Sequence, residues 1–76
     1  MTEIKNLFHS MGMRCNVRNR KGNKQYARIS GWHPKNLENQ VINPIRRIYP
    51  KARITSIFCA PTWAKIQNDV TFRLNP

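Results

Sequence analysis

Acidic side chains are almost absent from this chain. Glu3, Glu38 and Asp69 stand against 14 Lys plus Arg in 76 residues, a formal net charge of +11. Metal-dependent nuclease chemistry needs clustered carboxylates to hold a hard cation, so three scattered acids argue against that class. Cysteine is equally scarce. Cys15 and Cys59 are too few for a disulfide framework and read as reduced thiols. With His9 and His33 they make four potential zinc ligands, but no C-x-x-C or H-x3-H spacing joins them, so no metal and no cofactor is expected. Long apolar runs are missing too. Nothing approaches the roughly 18 consecutive apolar residues of a membrane span. The amino end carries Glu3, and the apolar run after it is broken by His9 and Ser10, so no signal-peptide core is expected. A cytoplasmic protein is expected, or one at the nucleoid if the partner is DNA. The first helix offers only Lys5 and His9 as cations, which argues against a membrane-surface partner.

What remains is one small basic domain, residues 1–76, with 39 % hydrophobic residues. A chain this short supplies only ~3–5 kcal/mol of net stability from a single core, and self-repulsion of its charge opposes compaction. The charge therefore asks for a partner. Nucleic acid, DNA or RNA, is the first candidate for so basic a domain, and an acidic protein surface the second.

Hydrophobic periodicity gives the elements. Ile4, Leu7, Phe8 and Met11 fall at i, i+3, i+4 and i+7, one face of a helix that Thr2 caps and Gly12 ends. From Arg14 the period becomes two. Arg14–Arg20 alternates as a strand, Lys21-Gly22-Asn23-Lys24 is a turn by composition, and Gln25–Ser30 resumes the alternation, which together make a hairpin. Its buried face is expected to hold Cys15, Val17, Ala27 and Ile29. Gly31 to His33 break the sheet and Pro34 opens a second helix with Leu37, Val41, Ile45 and Ile48 at helical spacing. Pro44 inside that pattern removes a helical hydrogen bond and pushes Asn43 out of the α region, so a kink or two short helices are expected. Ala52–Cys59 and Val70–Leu74 read as strands. The connection from Ala60 to Asp69 is expected to hold a helical turn around Ala64-Lys65-Ile66.

The resulting order, αββαββ, predicts an α+β two-layer sandwich: a four-stranded, mostly antiparallel sheet with two helices on one face. It is the order obtained by moving the first strand of a ferredoxin-like fold to its end. Strict alternation then turns Ala52, Ile54, Phe58, Val70, Phe72 and Leu74 toward the helices, and Arg53, Thr55, Thr71 and Arg73 outward.

That phase gathers Arg14, Arg18, Arg20, Arg28, Arg53 and Arg73 on the open face around Asn16 and Tyr26. Guanidinium groups pair bidentately with phosphate and stack on bases, and Tyr26 adds a stacking platform. The turn with Lys21 and Lys24 makes a basic finger suited to a phosphate backbone, or a charged guard on an edge hairpin. Arg46, Arg47, Lys51 and Arg53 form a second basic cluster, where cations also favour a helix carboxyl end. Trp32 reads as a core lid, while Trp63, beside Thr62 in the long loop, is the better candidate for exposure and stacking.

The opening helix and hairpin with His33-Pro34-Lys35 resemble the small basic interferase toxins of the HicA family over about half the chain. That family carries its catalytic histidine just after a Gly-Ser in the hairpin; here Gly22 is followed by Asn23 and Lys24. The resemblance implies a metal-free ribonuclease, for which His9 or His33 beside Arg28 and Tyr26 would supply the base, but the key position has no counterpart. A non-enzymatic nucleic-acid-binding protein is the leading expectation. The alternative is a small phage- or plasmid-type inhibitor that occludes an acidic or nucleic-acid-binding groove of a larger host protein. An exposed strand edge also leaves room for a homodimer.

Overall fold

A computed structural model describes residues 2–75, without the Thr2 side chain, so the cap expected of Thr2 lies outside the described residues. The first helix, α1, spans Thr2–Ser10. Ile4 and Phe8 are buried, Leu7 is half-buried and Met11 is exposed. The expectation that Met11 continues the core stripe is therefore corrected, because the helix ends one residue earlier. Gly12 takes a φ of +78°, and two hydrogen bonds, Met13 N–H to Phe8 O at 2.9 Å and Gly12 N–H to His9 O at 3.1 Å, close a Schellman motif. The apolar contact typical of this motif joins its outer residue to the last turn, and here Met13 takes the core place beside Phe8.

The hairpin forms as the alternation requires. Strands β1 (Arg14–Arg20) and β2 (Lys24–Ser30) pair antiparallel, Val17 opposite Ala27 and Arg20 opposite Lys24. Lys24 thus belongs to β2, and the turn is Lys21-Gly22-Asn23. Gly22 and Asn23 both have positive φ, which glycine adopts freely and asparagine tolerates. Cys15, Ala27 and Ile29 are buried and Val17 packs against them.

Between the two halves of the sheet the chain runs through three helical geometries in sequence. A 3₁₀ turn at Pro34–Asn36 is capped by His33, whose Nδ1 accepts the Lys35 N–H at 3.1 Å. A π-helical stretch follows at Leu37–Ile42, and a short helix, α2, at Asn43–Ile48. The expectation that Asn43 leaves the α region before Pro44 is corrected: it stays helical at φ −63° and ψ −45°. The wider π turn absorbs the proline, since Asn43 N–H reaches back five residues to Glu38 O. Val41, Pro44 and Ile45 bury against the sheet while the opposite side stays in water.

Strands β3 (Arg53–Phe58) and β4 (Asp69–Arg73) complete an antiparallel sheet of order β1-β2-β4-β3, with β1 and β3 at its edges. Leu74 N–H extends the β4 ladder by bonding Gln25 O at 2.8 Å. Helix and sheet residues share one core: Ile4, Phe8, Val41 and Ile45 meet Ile29, Val70 and Phe72, all essentially without solvent contact. Each such side chain contributes on the order of 1.5–3 kcal/mol by leaving water. Trp32 is buried as a lid, its indole N–H donating to Ile29 O at 3.0 Å.

Two expectations fail in the second half. No helical turn forms around Ala64-Lys65-Ile66; a hydrogen bond from Ala64 N–H to Pro61 O closes a tight turn there instead. More consequentially, β3 carries a register shift between Ile54 and Ser56. Ile54 faces Phe72 and Ile57 faces Val70, so these two point to the helix side. Phe58 pairs with Asp69 and lies on the open face, not in the core as strict alternation required. A bulge inserts one residue, here Thr55, and reverses the phase of everything after it. Its hydroxyl donates to Thr71 O at 3.3 Å and holds the bulge in place.

Candidate functional site

The open face of the sheet can be read row by row from the register, because directly paired residues share a face. One row crosses Arg14, Ser30, Asp69 and Phe58; the next Asn16, Arg28, Thr71 and Ser56; the third Arg18, Tyr26, Arg73 and Arg53; Arg20 and Lys24 finish the hairpin end. All six arginines expected on this face are on it. Lys24 and Tyr26 join them, and Lys21 projects from the adjoining turn, exposed. Trp63 is 85 % exposed in the 59–68 loop, but it lines none of the described depressions.

Charge on this face is not uniform. Asp69, at the start of the inner strand β4, accepts from both Nε and Nη2 of Arg28, and its other oxygen accepts from Ser30 Oγ at 3.4 Å. The hydrogen bond to Asp69, and then its charge, raise the Arg28 pKa further, so the guanidinium is ionised at every working pH. Sequence alone presents Arg28 as a free cation and Asp69 as a scattered acid. Only the register of β2 on β4 brings the two together. Arg20 Cζ lies over the Tyr26 ring, 5.6 Å from its centroid, a cation–π contact. Arg73 lies between Tyr26 and Arg53, and its Nε is the buried side-chain polar atom that lacks a hydrogen-bond partner among the described residues.

A shallow depression runs across this face from Arg18 and Tyr26 to Phe58, floored by Asn16, Thr71 and Ser56. Phe58 is the site residue that periodicity misplaced. It is 47 % exposed and borders both this depression and a second one with Arg14 and Lys65. No local sequence signal marks the bulge that brings it there.

Neither histidine lines the depression. His33 caps the 3₁₀ turn and borders a separate concavity between the Gly31–Pro34 segment and the 59–68 loop, and His9 is exposed on α1. That loop is anchored by Asn68, which accepts from Ala60 N–H at 2.6 Å and donates to Trp32 O at 2.9 Å. Among the described residues no three of His, Cys, Asp or Glu come together, and no helix is long and apolar enough to cross a membrane. Burial raises the Cys15 thiol above its ordinary value, with Lys5 acting weakly in the opposite direction; Cys59 is exposed. Arg46 and Arg47 are exposed on the helix layer, whereas Arg53 belongs to the open sheet face, so the second basic cluster is divided between two surfaces. Comparison with protein-family models, with curated proteins and with solved structures gives no match.

Proposed function

We propose that the open sheet face binds nucleic acid, without catalysis, chiefly by neutralising phosphates. The observation that carries this reading is the register itself. It puts Arg14, Arg18, Arg20, Arg28, Arg53 and Arg73 on one surface with a single acid, Asp69. Solvation alone does not require six guanidinium groups on one face when the helix layer stays available for charge. Arginine in particular suits phosphate and base alike. The order β1-β2-β4-β3 with antiparallel neighbours supports reading the fold as a ferredoxin-like sandwich whose first strand has moved to the end of the chain, leaving one sheet face uncovered. On this reading the protein works in the cytoplasm or on the nucleoid.

Fluorescence anisotropy with labelled single-stranded RNA, single-stranded DNA and duplex DNA, at two salt concentrations, tests the proposal. Neutralising about six phosphates predicts an affinity loss between 50 and 200 mM salt of ~10³ for a duplex and roughly 300-fold for a single strand. Absence of binding to all three above micromolar affinity at physiological salt rejects it.

A second reading, the inhibitor of an acidic host surface, draws on one specific observation. Ile54 and Ile57 on the helix side and Phe58 on the open face leave apolar surface exposed on both sides of the edge strand β3, with Trp63 and Ile66 in the loop after it, surface that a protein partner clasping this edge would cover. Capture of a stoichiometric protein from nuclease-treated lysate, abolished when Ile57 is changed to Lys, is the outcome that favours it. The unpaired β3 edge offers the same surface to a second copy, which sedimentation would reveal.

A further inference from the structure

Resting on the nucleic-acid reading, we infer that the open face takes a single strand, with unpaired bases on its floor and phosphates on its arginine rim.

The distribution of charge separates floor from rim. Arg14, Arg18, Arg20, Arg53 and Arg73 lie toward the ends and outer strands. The middle row holds Asn16, Thr71 and Ser56, short neutral groups able to donate to and accept from base edges. The one central cation, Arg28, is already held by Asp69. Asp69, in the end row beside this floor, repels a phosphate passing over it, while its carboxylate accepts readily from the amino groups of an exposed base. A duplex keeps its base faces stacked inside and offers only grooves and phosphates, so it uses the rim and leaves the floor unoccupied.

The bulge supplies the second argument. Without the inserted Thr55, Phe58 would turn to the helix side and Tyr26 would be the one aromatic residue on this face. With it, the face has two aromatic platforms, and Arg20 stands 5.6 Å from the ring centroid of one of them, a cation within reach of a base stacked there. Phe58 is level with Ser30, four residues along β2 from Tyr26 and two strands away. Strand spacings of about 4.8 Å and rises of about 3.3 Å per residue put their Cα atoms ~16 Å apart. That separation is several times the ~3.4 Å rise of stacked bases. Bases on both platforms are therefore splayed from each other, an arrangement open to a single strand and closed to a duplex.

The test compares one labelled oligonucleotide, free and hybridised to its complement, on the wild-type protein and on Phe58→Leu, Phe58→Trp and Tyr26→Ala variants whose thermal melts are recorded in parallel. The expected result is at least tenfold preference for the single strand at physiological salt. Phe58→Leu, which keeps apolar bulk but removes the π face, should lose about 5- to 100-fold in single-strand affinity. Duplex affinity should stay unchanged, and Phe58→Trp should restore the preference. Equal affinity for duplex and single strand, with Phe58→Leu binding as the wild type does, overturns the single-strand inference and leaves phosphate binding standing. Failure to bind either form overturns both.

Discussion

Asp69 on β4 holds Arg28 on β2 through two guanidinium nitrogens, bridging the two inner strands on the open sheet face. The pair puts the one carboxylate of this face among its arginines, and on the nucleic-acid reading it limits what the face accepts. Asp69→Asn changes the net charge from +11 to +12 and frees Arg28. The expected outcome is tighter binding of every polyanion, duplex included. The slope of log K against log salt should steepen by up to about 1, corresponding to one more phosphate neutralised. A salt titration of the variant against single-stranded and duplex probes checks both the gain in affinity and the weaker discrimination. An unchanged salt slope would show that Arg28 meets phosphate despite Asp69.

Arg18 and Arg53 flank the row that contains Tyr26 and Arg73, and both are exposed. Reversing either to Glu should leave the circular dichroism melt close to that of the wild type, since neither side chain belongs to the core. Binding should weaken at all sequences, and the salt slope should shrink by about 0.7 for each phosphate of a single strand that is no longer neutralised. A variant that unfolds instead would place its arginine on the wrong side of the sheet.

Phe8 and Met13 meet at the close of α1, where Gly12 turns the chain. Phe8→Ala should cost about 3–5 kcal/mol, as much as the whole net stability of about 3–5 kcal/mol available to a domain of this size. The variant is expected to be unfolded by urea titration even without denaturant. Gly12→Ala meets nothing within 4 Å, so its cost is confined to the left-handed backbone, about 1–2 kcal/mol. It should lower the urea midpoint without abolishing the transition.

The two thiols should react differently. Cys59 is exposed and Cys15 is buried, so a colourimetric thiol reagent should label one group quickly and the second only on unfolding. Burial raises the folded-state pKa of Cys15 above 9.0, so above that pH the unfolded chain loses a proton the folded chain keeps. The contribution is fully present below 9.0 and is lost as pH rises through the folded value. Comparing urea stability of the wild type with Cys15→Ala across that range isolates the effect: the variant should show the shallower decline.

What the amino-acid sequence determined by itself is local. The period-two pattern from Arg14 to Ser30 specifies the hairpin, its buried Cys15, Ala27 and Ile29, and the outward arginines, because a strand with one wetted face must alternate. Pro34 and Gly12 mark a helix start and a helix stop for reasons contained in their own backbone preferences. The tertiary structure decided what depends on two segments meeting. Asn43 stays helical before Pro44 because a π turn widens to admit the ring while Val41 and Ile45 are held in the core. The bulge at Thr55 exists only in the register of β3 against β4, and it carries Phe58 from the expected core to the open face. Asp69 meets Arg28 from 41 residues away. Periodicity reports which side of its own strand a residue occupies; it carries no record of a residue inserted between two paired strands, or of which charge the neighbouring strand brings.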